Sequence, residues 1–277
     1  PKQVVRDALP AFFTYDTLPA APDGQPGRLM EAEARTRFDL ENGPLLRVCL
    51  RKTGEKRFVF VFTIHHLVAD GWSMGQIVRE VTAHYQAGRG AAQPALPALA
   101  VQFRDFAAWH VDQARSAGTQ PDRGFWLAEF AGEASLLPLP ATGSRATPAG
   151  KVLRFALSAA DTAALRGLGG QEGTSLFMTL FAAFNALFYK YTGQTDIVLG
   201  TTTAGRVHET LENQVGYFVN TLAVRSRFSG RDPFTGLLRQ VREKLLGGFR
   251  HQAYPLFKLL EDLAAVRATA PGPCSTC

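Results

Sequence analysis

The chain reads as a mixed α/β protein, and three observations carry that reading. An apolar, β-branched run, Phe58–Ile64, has the make-up of a buried strand. It passes through His65-His66-Leu-Val-Ala-Asp70-Gly71 into a stretch where Met74, Ile77, Val78, Val81 and Tyr85 recur at helical spacing. A Pro/Gly/Ser/Ala-rich stretch, Leu137–Gly150, then divides the chain into two lobes, 1–145 and 146–277, each with strands and helices of its own.

In order, residues 1–30 hold a short apolar piece and a Pro/Gly-rich loop, AAPDGQPGR, before a weak helix at Glu31–Arg37. Strands Leu45–Arg51 and Phe58–Ile64 flank a Gly-containing turn and form a hairpin. Ser73 is expected to cap the next helix, with Gln76 completing a capping box. A Gly/Pro/Ala-rich loop, Ala87–Ala98, leads to a helix over Val101–Ala117, where Phe103, Phe106 and Trp109 are expected in the core. A short helix covers Phe125–Phe130. The second lobe opens on a strand, Lys151–Leu157, and a helix near Ala159–Leu168. The long helix Thr174–Tyr191 carries a stripe of Phe177, Leu180, Phe181, Phe184, Leu187, Phe188 and Tyr191, read as core. Thr192-Gly193 ends it. Asp196–Thr203 is a strand, the segment Val215–Leu222 is followed by a strand to Phe228, and Pro233–Arg250 is a helix.

Composition narrows the function classes. With 277 residues, 46% hydrophobic and 19% charged, the chain has the balance of a globular protein with a sizeable core. Its longest apolar run, around Leu176–Tyr191, is interrupted by Thr179 and Asn185, so no membrane span is expected. The net charge of +6 is spread evenly, without the basic block of a nucleic-acid binder. A mildly basic face suits an acidic partner protein. Cys49 reads as a buried thiol, and Cys274 and Cys277 form a CxxC with no second pair, a frayed end rather than a metal or redox site. That usage fits a reducing cytoplasm. The start, Pro-Lys-Gln-Val-Val, has no signal-peptide pattern and looks like a piece of a longer polypeptide.

The chemistry converges on positions 65–73. Alternation along an extended chain sends His65 and His66 to opposite faces, so one faces a cleft and the other packs or hydrogen-bonds behind it. An imidazole titrates near neutral pH and can take or give a proton in acyl transfer. Asp70 is close enough to orient it or to anchor the turn.

His65-His66-x-x-x-Asp70-Gly71 resembles the HHxxxDG signature of the condensation domains of nonribosomal peptide synthetases. The run Phe38-Asp-Leu-Glu-Asn-Gly-Pro-Leu-Leu-Arg47 is similar to a family element at a comparable distance before that signature. Phe103–Trp109 resembles YxDFAxW with Phe103 in place of Tyr, and Gly216–Leu222 resembles GxFVNTL. His251–Leu256 resembles HQDxPF, with Ala253 and Leu256 departing from it; Thr192–Gly200 also matches. The motifs follow in family order over almost the whole chain, without the family's opening motifs or the segment after HQDxPF, as in an internal fragment.

The resemblance implies a chloramphenicol-acetyltransferase-like fold, two α/β lobes in a V-shaped pseudo-dimer. It implies amide-bond formation between a donor acyl or peptidyl thioester and an acceptor aminoacyl thioester. Both would arrive on the 4′-phosphopantetheine arms of carrier proteins, beside an adenylation domain, with no bound cofactor and no metal. His66 matches the histidine credited with catalysis, with His65, Asp70 and Gly71 completing the signature. Asp70 is structural on this reading and is paired with Arg206 as a clamp between the lobes. Gly71 leaves room for an arm to pass. Trp72 is a channel lining or an ordinary core tryptophan, and Asn220 holds a substrate amide or bonds backbone. Met74 after Ser73 differs from the HHxxxDxxSW of epimerisation domains.

Two other readings stand beside this one. Gly71-Trp72-Ser73-Met74-Gly75 is a GxSxG, with Asp196 and His251 following in the order of a serine hydrolase triad. Against it, six residues separate the strand from the first glycine, no HGGG-type loop precedes it, and Ser73 is explained as a cap. The chain could also be an inactive remnant that binds carrier proteins without turnover.

Overall fold

The hairpin around Gly54 supplies two of the three strands of the first sheet. In a computed structural model, which describes residues 3–6, 12–17, 25–132, 137–138 and 152–269, β2 (Leu46–Gly54) pairs antiparallel with β3 (Arg57–Ile64). The register sets Leu46 against Ile64 and Cys49 against Val61. An edge strand, β1 (Phe13–Thr17), runs parallel to β2 with Phe13 opposite Val48. That strand lies in the part of the sequence read as an apolar piece and loop. Its five residues are all exposed, and they have no burial alternation from which to read a strand. The helix that follows, α1 (Gln25–Arg35), begins inside the Pro/Gly-rich stretch and ends two residues short of the reading.

The chain divides into two compact units. The first comprises Pro1–Arg104 and His208–Phe218, the second Asp105–Val207 and Val219–Cys277. Unit 1 carries the three-stranded sheet, α1 and α2 (Gly71–Gly88). The segment 208–218, distant in sequence, is part of it. The interlobe boundary expected within Leu137–Gly150 lies, apart from Leu137 and Pro138, outside the described residues.

Unit 2 is built on a two-stranded antiparallel ladder, β4 (Asp196–Thr203) and β5 (Asn220–Arg227), in which Asp196 faces Arg227 and Thr203 faces Asn220. The sequence reading of β4 agrees residue for residue. The helices of this unit are α3 (Phe103–Arg115, from Asp105 onward), α4 (Gln120–Glu129), α5 (Ala159–Gln171), α6 (Leu176–Thr192), α7 (Phe234–Arg250) and α8 (Leu256–Thr269). One core cluster joins Phe181 and Ala182 of α6 to Val224 of β5 and to Leu237, Leu238, Val241 and Leu245 of α7. A second gathers Trp126, Phe130, Leu222, Tyr254 and Leu259. Gly193, at φ 72, closes α6 in the left-handed conformation that costs glycine least.

Three helix faces and one strand differ from the sequence reading; on α3, Phe106 is buried but Trp109, expected beside it in the core, is exposed. Ser73 and Gln76 are the buried residues of α2, while Val78, Val81 and Tyr85 are exposed. On α6 the buried residues are Thr179, Phe181, Ala182 and Asn185; Phe177, Phe184, Leu187 and Tyr191 are exposed. Small side chains let α5 and α6 approach closely: a Cβ on Gly169 of α5 would lie 2.8 Å from Thr179 Oγ1. Hydropathy cannot see that, because Thr179 and Asn185 read as polar interruptions. The expected strand Lys151–Leu157 makes no ladder among the described residues, and Val152, Leu153 and Phe155 are each more than three-quarters exposed.

Candidate active site

The two histidines follow the end of β3 at the start of a turn, and their surroundings differ. His65 N–H donates to Leu45 O at 2.9 Å, and Val68 N–H donates to His65 O at 3.0 Å, so the chain turns immediately after the strand. The half-buried His65 ring lies edge-on to Phe38, centroids 5.5 Å apart, and its Nδ1 accepts from Leu67 N–H at 3.1 Å. That bond requires an unprotonated Nδ1. His65 is thereby committed to the turn. His66 is exposed, and among the described residues no hydrogen bond ties either of its nitrogens. Its ring meets Tyr217 edge-to-face at a centroid distance of 5.4 Å.

Asp70, not Ser73, is the N-cap of α2. Its backbone is extended, at φ −106 and ψ −178, and its Oδ1 accepts from Ser73 N–H at 2.8 Å. The serine therefore sits inside the first turn, and Gln76 bonds Glu80 and Arg79 rather than completing a capping box. Asp70 is 1% exposed and ties two distant pieces of chain together. Its Oδ2 accepts from Phe218 N–H at 3.1 Å, and its own N–H donates to Gly216 O at 3.2 Å. Ser73 Oγ lies 2.8 Å from Asp70 Oδ1 and 2.9 Å from Gly216 O, and it accepts from Gly216 N–H at 3.0 Å. Gly216 is required at its position: a Cβ there would stand 2.3 Å from the Phe103 ring. Phe103 in turn packs edge-to-face on Phe218 at 5.1 Å.

The serine hydrolase reading fails on this geometry. A nucleophile-elbow hydroxyl stands exposed beside a base, whereas Ser73 is 0% exposed and its hydroxyl is engaged by Asp70 and Gly216. Asp196 is held by Arg225 at 2.6 Å, and His251 Nδ1 lies 2.6 Å from Asp122.

The remaining expected residues are placed as follows. A Cβ on Gly71 would meet no atom within 4 Å, so the position borders open space. Trp72 is half-exposed rather than core; its indole N–H donates to Glu212 O at 2.8 Å, and it lines an open groove of about 410 Å³ with Gln76, Arg79 and Leu96. Arg206 belongs to the second unit, where it donates to Ala204 O at 3.4 Å. Asn220 bonds backbone: its Nδ2 donates to Gln252 O at 2.7 Å and Tyr254 O at 3.0 Å, and its Oδ1 accepts from Thr221 N–H. It thus holds the 251–255 turn of the motif resembling HQDxPF.

That turn has further anchors that no sequence signal marks. His251 stacks on Phe125 at 4.2 Å, and its carbonyl accepts from Trp126 Nε1 at 2.9 Å. Tyr254 O–H donates to Asp262 Oδ2 at 2.6 Å, and Asp262 is also bridged by Arg123 at 2.6 Å and Lys258 at 3.0 Å. Burial raises the Asp262 carboxyl pKa, but the hydrogen bonds from Tyr254, Lys258 and Arg123 outweigh it and leave it at about 2. Burial, then the bond to Asp262, pushes the Tyr254 phenol above its ordinary value. Burial lowers the pKa of His110, which stacks on Phe106 and lies 3.4 Å from Ala253 O. Among the described residues, no group of three or more His, Cys, Asp or Glu side chains is arranged to hold a metal ion, and no helix is long and apolar enough to cross a membrane. Cys49 is a buried free thiol; Cys274 and Cys277 lie outside the described residues.

Comparison with known proteins agrees with the motif order. The family model of the condensation domain matches residues 1–272. This chain belongs to the condensation domain family. Tyrocidine synthase 3 of Brevibacillus parabrevis is 36% identical over 276 residues, which is 99% of this chain and 4% of that protein. The crystal structure of the SgcC5 protein from Streptomyces globisporus matches with a TM-score of 0.78 at 28% identity, covering 96% of this condensation chain and 61% of the other. The first condensation domain of the calcium-dependent antibiotic synthetase, at 23% identity and a TM-score of 0.73, shares the fold over 92% of this chain and 59% of its own. The chain thus spans less than two thirds of the proteins it matches, and its fold is the mixed α/β, chloramphenicol-acetyltransferase-like fold of condensation domains.

Proposed function

We propose that this chain carries the acyl-transfer centre of a nonribosomal peptide synthetase and that it joins two carrier-bound thioesters through an amide bond. The observation that carries the reading is His66, an exposed imidazole at the end of a strand, beside a turn pinned by Asp70. The donor acyl or peptidyl group and the acceptor aminoacyl group arrive on the phosphopantetheine arms of carrier proteins. Those carriers and a neighbouring adenylation domain are the partners, in the cytoplasm. No bound cofactor is required.

The step balances without a further reactant. The acceptor α-amine attacks the donor carbonyl, a C–N bond forms, and the tetrahedral intermediate collapses by breaking the C–S bond. The amine's proton leaves as the bond forms, and the departing pantetheine thiolate takes up one proton. An α-amine with a pKa of about 8 is substantially neutral at working pH, so His66 is needed for the proton released during attack, for a hydrogen bond to the intermediate, or for both. Asp70 positions rather than relays protons, because its carboxylate is engaged by Ser73 and Phe218. Gly71 keeps the approach to His66 clear.

In the intact synthetase that contains this chain, His66→Ala should slow dipeptidyl transfer between loaded carriers by roughly 10²-fold or more. Transfer at the wild-type rate removes His66 from the mechanism.

A further inference from the structure

The residue that touches His66 is Tyr217, the unspecified position of the GxFVNTL-like element. Its neighbours on both sides are fixed. Gly216 N–H donates to Ser73 Oγ, and its carbonyl accepts from Asp70 N–H with the Ser73 hydroxyl oxygen 2.9 Å away. Phe218 is 4% exposed, its N–H donates to Asp70 Oδ2, and its ring packs on Phe103. With Gly216 and Phe218 clamped inward, the intervening side chain must leave the other way. Tyr217 does so, 42% exposed, and its ring meets the His66 imidazole at an interplanar angle of 73°. The same buried carboxylate that caps α2 therefore sets the height and direction of the aromatic ring against His66.

We propose that Tyr217 is a positioning residue for the condensation reaction, its ring holding the His66 imidazole in one orientation and covering one of its faces. This rests on the reading of His66 as the catalytic imidazole. An edge-to-face aromatic pair restricts the histidine to the rotamer that makes the contact, so the fraction of molecules with a correctly aimed nitrogen rises. The hydroxyl has no part in this, and phenylalanine should serve as well. Asp70 thereby orients His66 at one remove, through the backbone of Gly216 and Phe218.

The test uses the intact synthetase with Tyr217→Leu and Tyr217→Phe. Two measurements are made, single-turnover amide formation and the rate at which diethylpyrocarbonate modifies His66, followed by peptide mass spectrometry. The expected result is a loss of about three- to tenfold in turnover for Tyr217→Leu with the KM for the acceptor carrier unchanged, full activity for Tyr217→Phe, and faster modification of His66 in the leucine variant only. Equal losses in both variants would assign the effect to the hydroxyl and overturn the proposal. A loss in KM alone would do the same, as would slower turnover with unchanged modification of His66. The modification rate is read whether or not His66 catalyses. If His66→Ala turned over at the wild-type rate, the catalytic reading would fail while the Tyr217–His66 contact was still decided.

Discussion

Two buried carboxylates each hold one motif segment in place, and they do so by different chemistry. Asp70 takes bonds from the backbone N–H groups of Ser73 and Phe218 and from the Ser73 hydroxyl, so its hold is directional. Asp262 gathers the side chains of Arg123, Tyr254 and Lys258, so its hold is largely ionic. The first supports the segment beside His66, where the position of a backbone decides where Tyr217 points. The second supports the 251–255 turn, where long side chains from two helices tolerate small displacements. A site that must aim a ring is built on backbone bonds, and a site that must only hold a turn is built on charge.

The contrast can be broken first at Asp70. Asp70→Ala removes the cap of α2 and leaves buried donors at Ser73 and Phe218 without an acceptor, which should cost about 3–5 kcal/mol in chemical unfolding. Asp262→Asn removes charge-assisted bonds and should cost roughly 1.5–3 kcal/mol, with the loss concentrated at neutral pH. Its pH dependence follows from the sign of the shift. The folded carboxyl titrates at about 2, below the ordinary 3.8, so the unfolded chain binds the proton more readily between those values. The stabilisation, about 2 kcal/mol, is present above pH ~4 and disappears as pH falls toward ~2. Stability curves for wild type and Asp262→Asn should therefore converge at the acid end; parallel curves would show that the carboxylate is not held by charge. The smallest change is at Gly216. Gly216→Ala pushes a methyl against the rings of Phe103 and Phe218 and should cost about 1–3 kcal/mol, with transfer activity falling further than stability if the 216–218 segment aims Tyr217.

Local signals in this chain are legible where their physics is local. Strand alternation anticipates different surroundings for His65 and His66, but β3 ends at Ile64, and the local turn from His65 to Val68 is what sets the two rings apart. The hairpin, the β4 strand and the Gly193 stop follow from β-branched runs and a glycine at positive φ. Residue type alone favours Ser73 as the cap no less than Asp70, because serine and aspartate both suit that role. The choice between them lies in backbone angles that composition does not carry. The buried faces of α2 and α6 escape the sequence for a related reason. Hydropathy ranks Val78 and Phe184 above Ser73 and Thr179, but close helix contact and buried hydrogen bonds select the smaller polar residues.

What the amino-acid order determined unaided was the kind of chemistry: an imidazole pair at a strand end, a carboxylate four residues past the second histidine, and the family whose motifs occur in that order. Only the tertiary structure decided which ring faces His66 and what Asp70 holds. Those partners stand some 146–151 residues apart along the chain, and a contact that depends on ångström placement between distant backbones leaves no periodic trace in either segment.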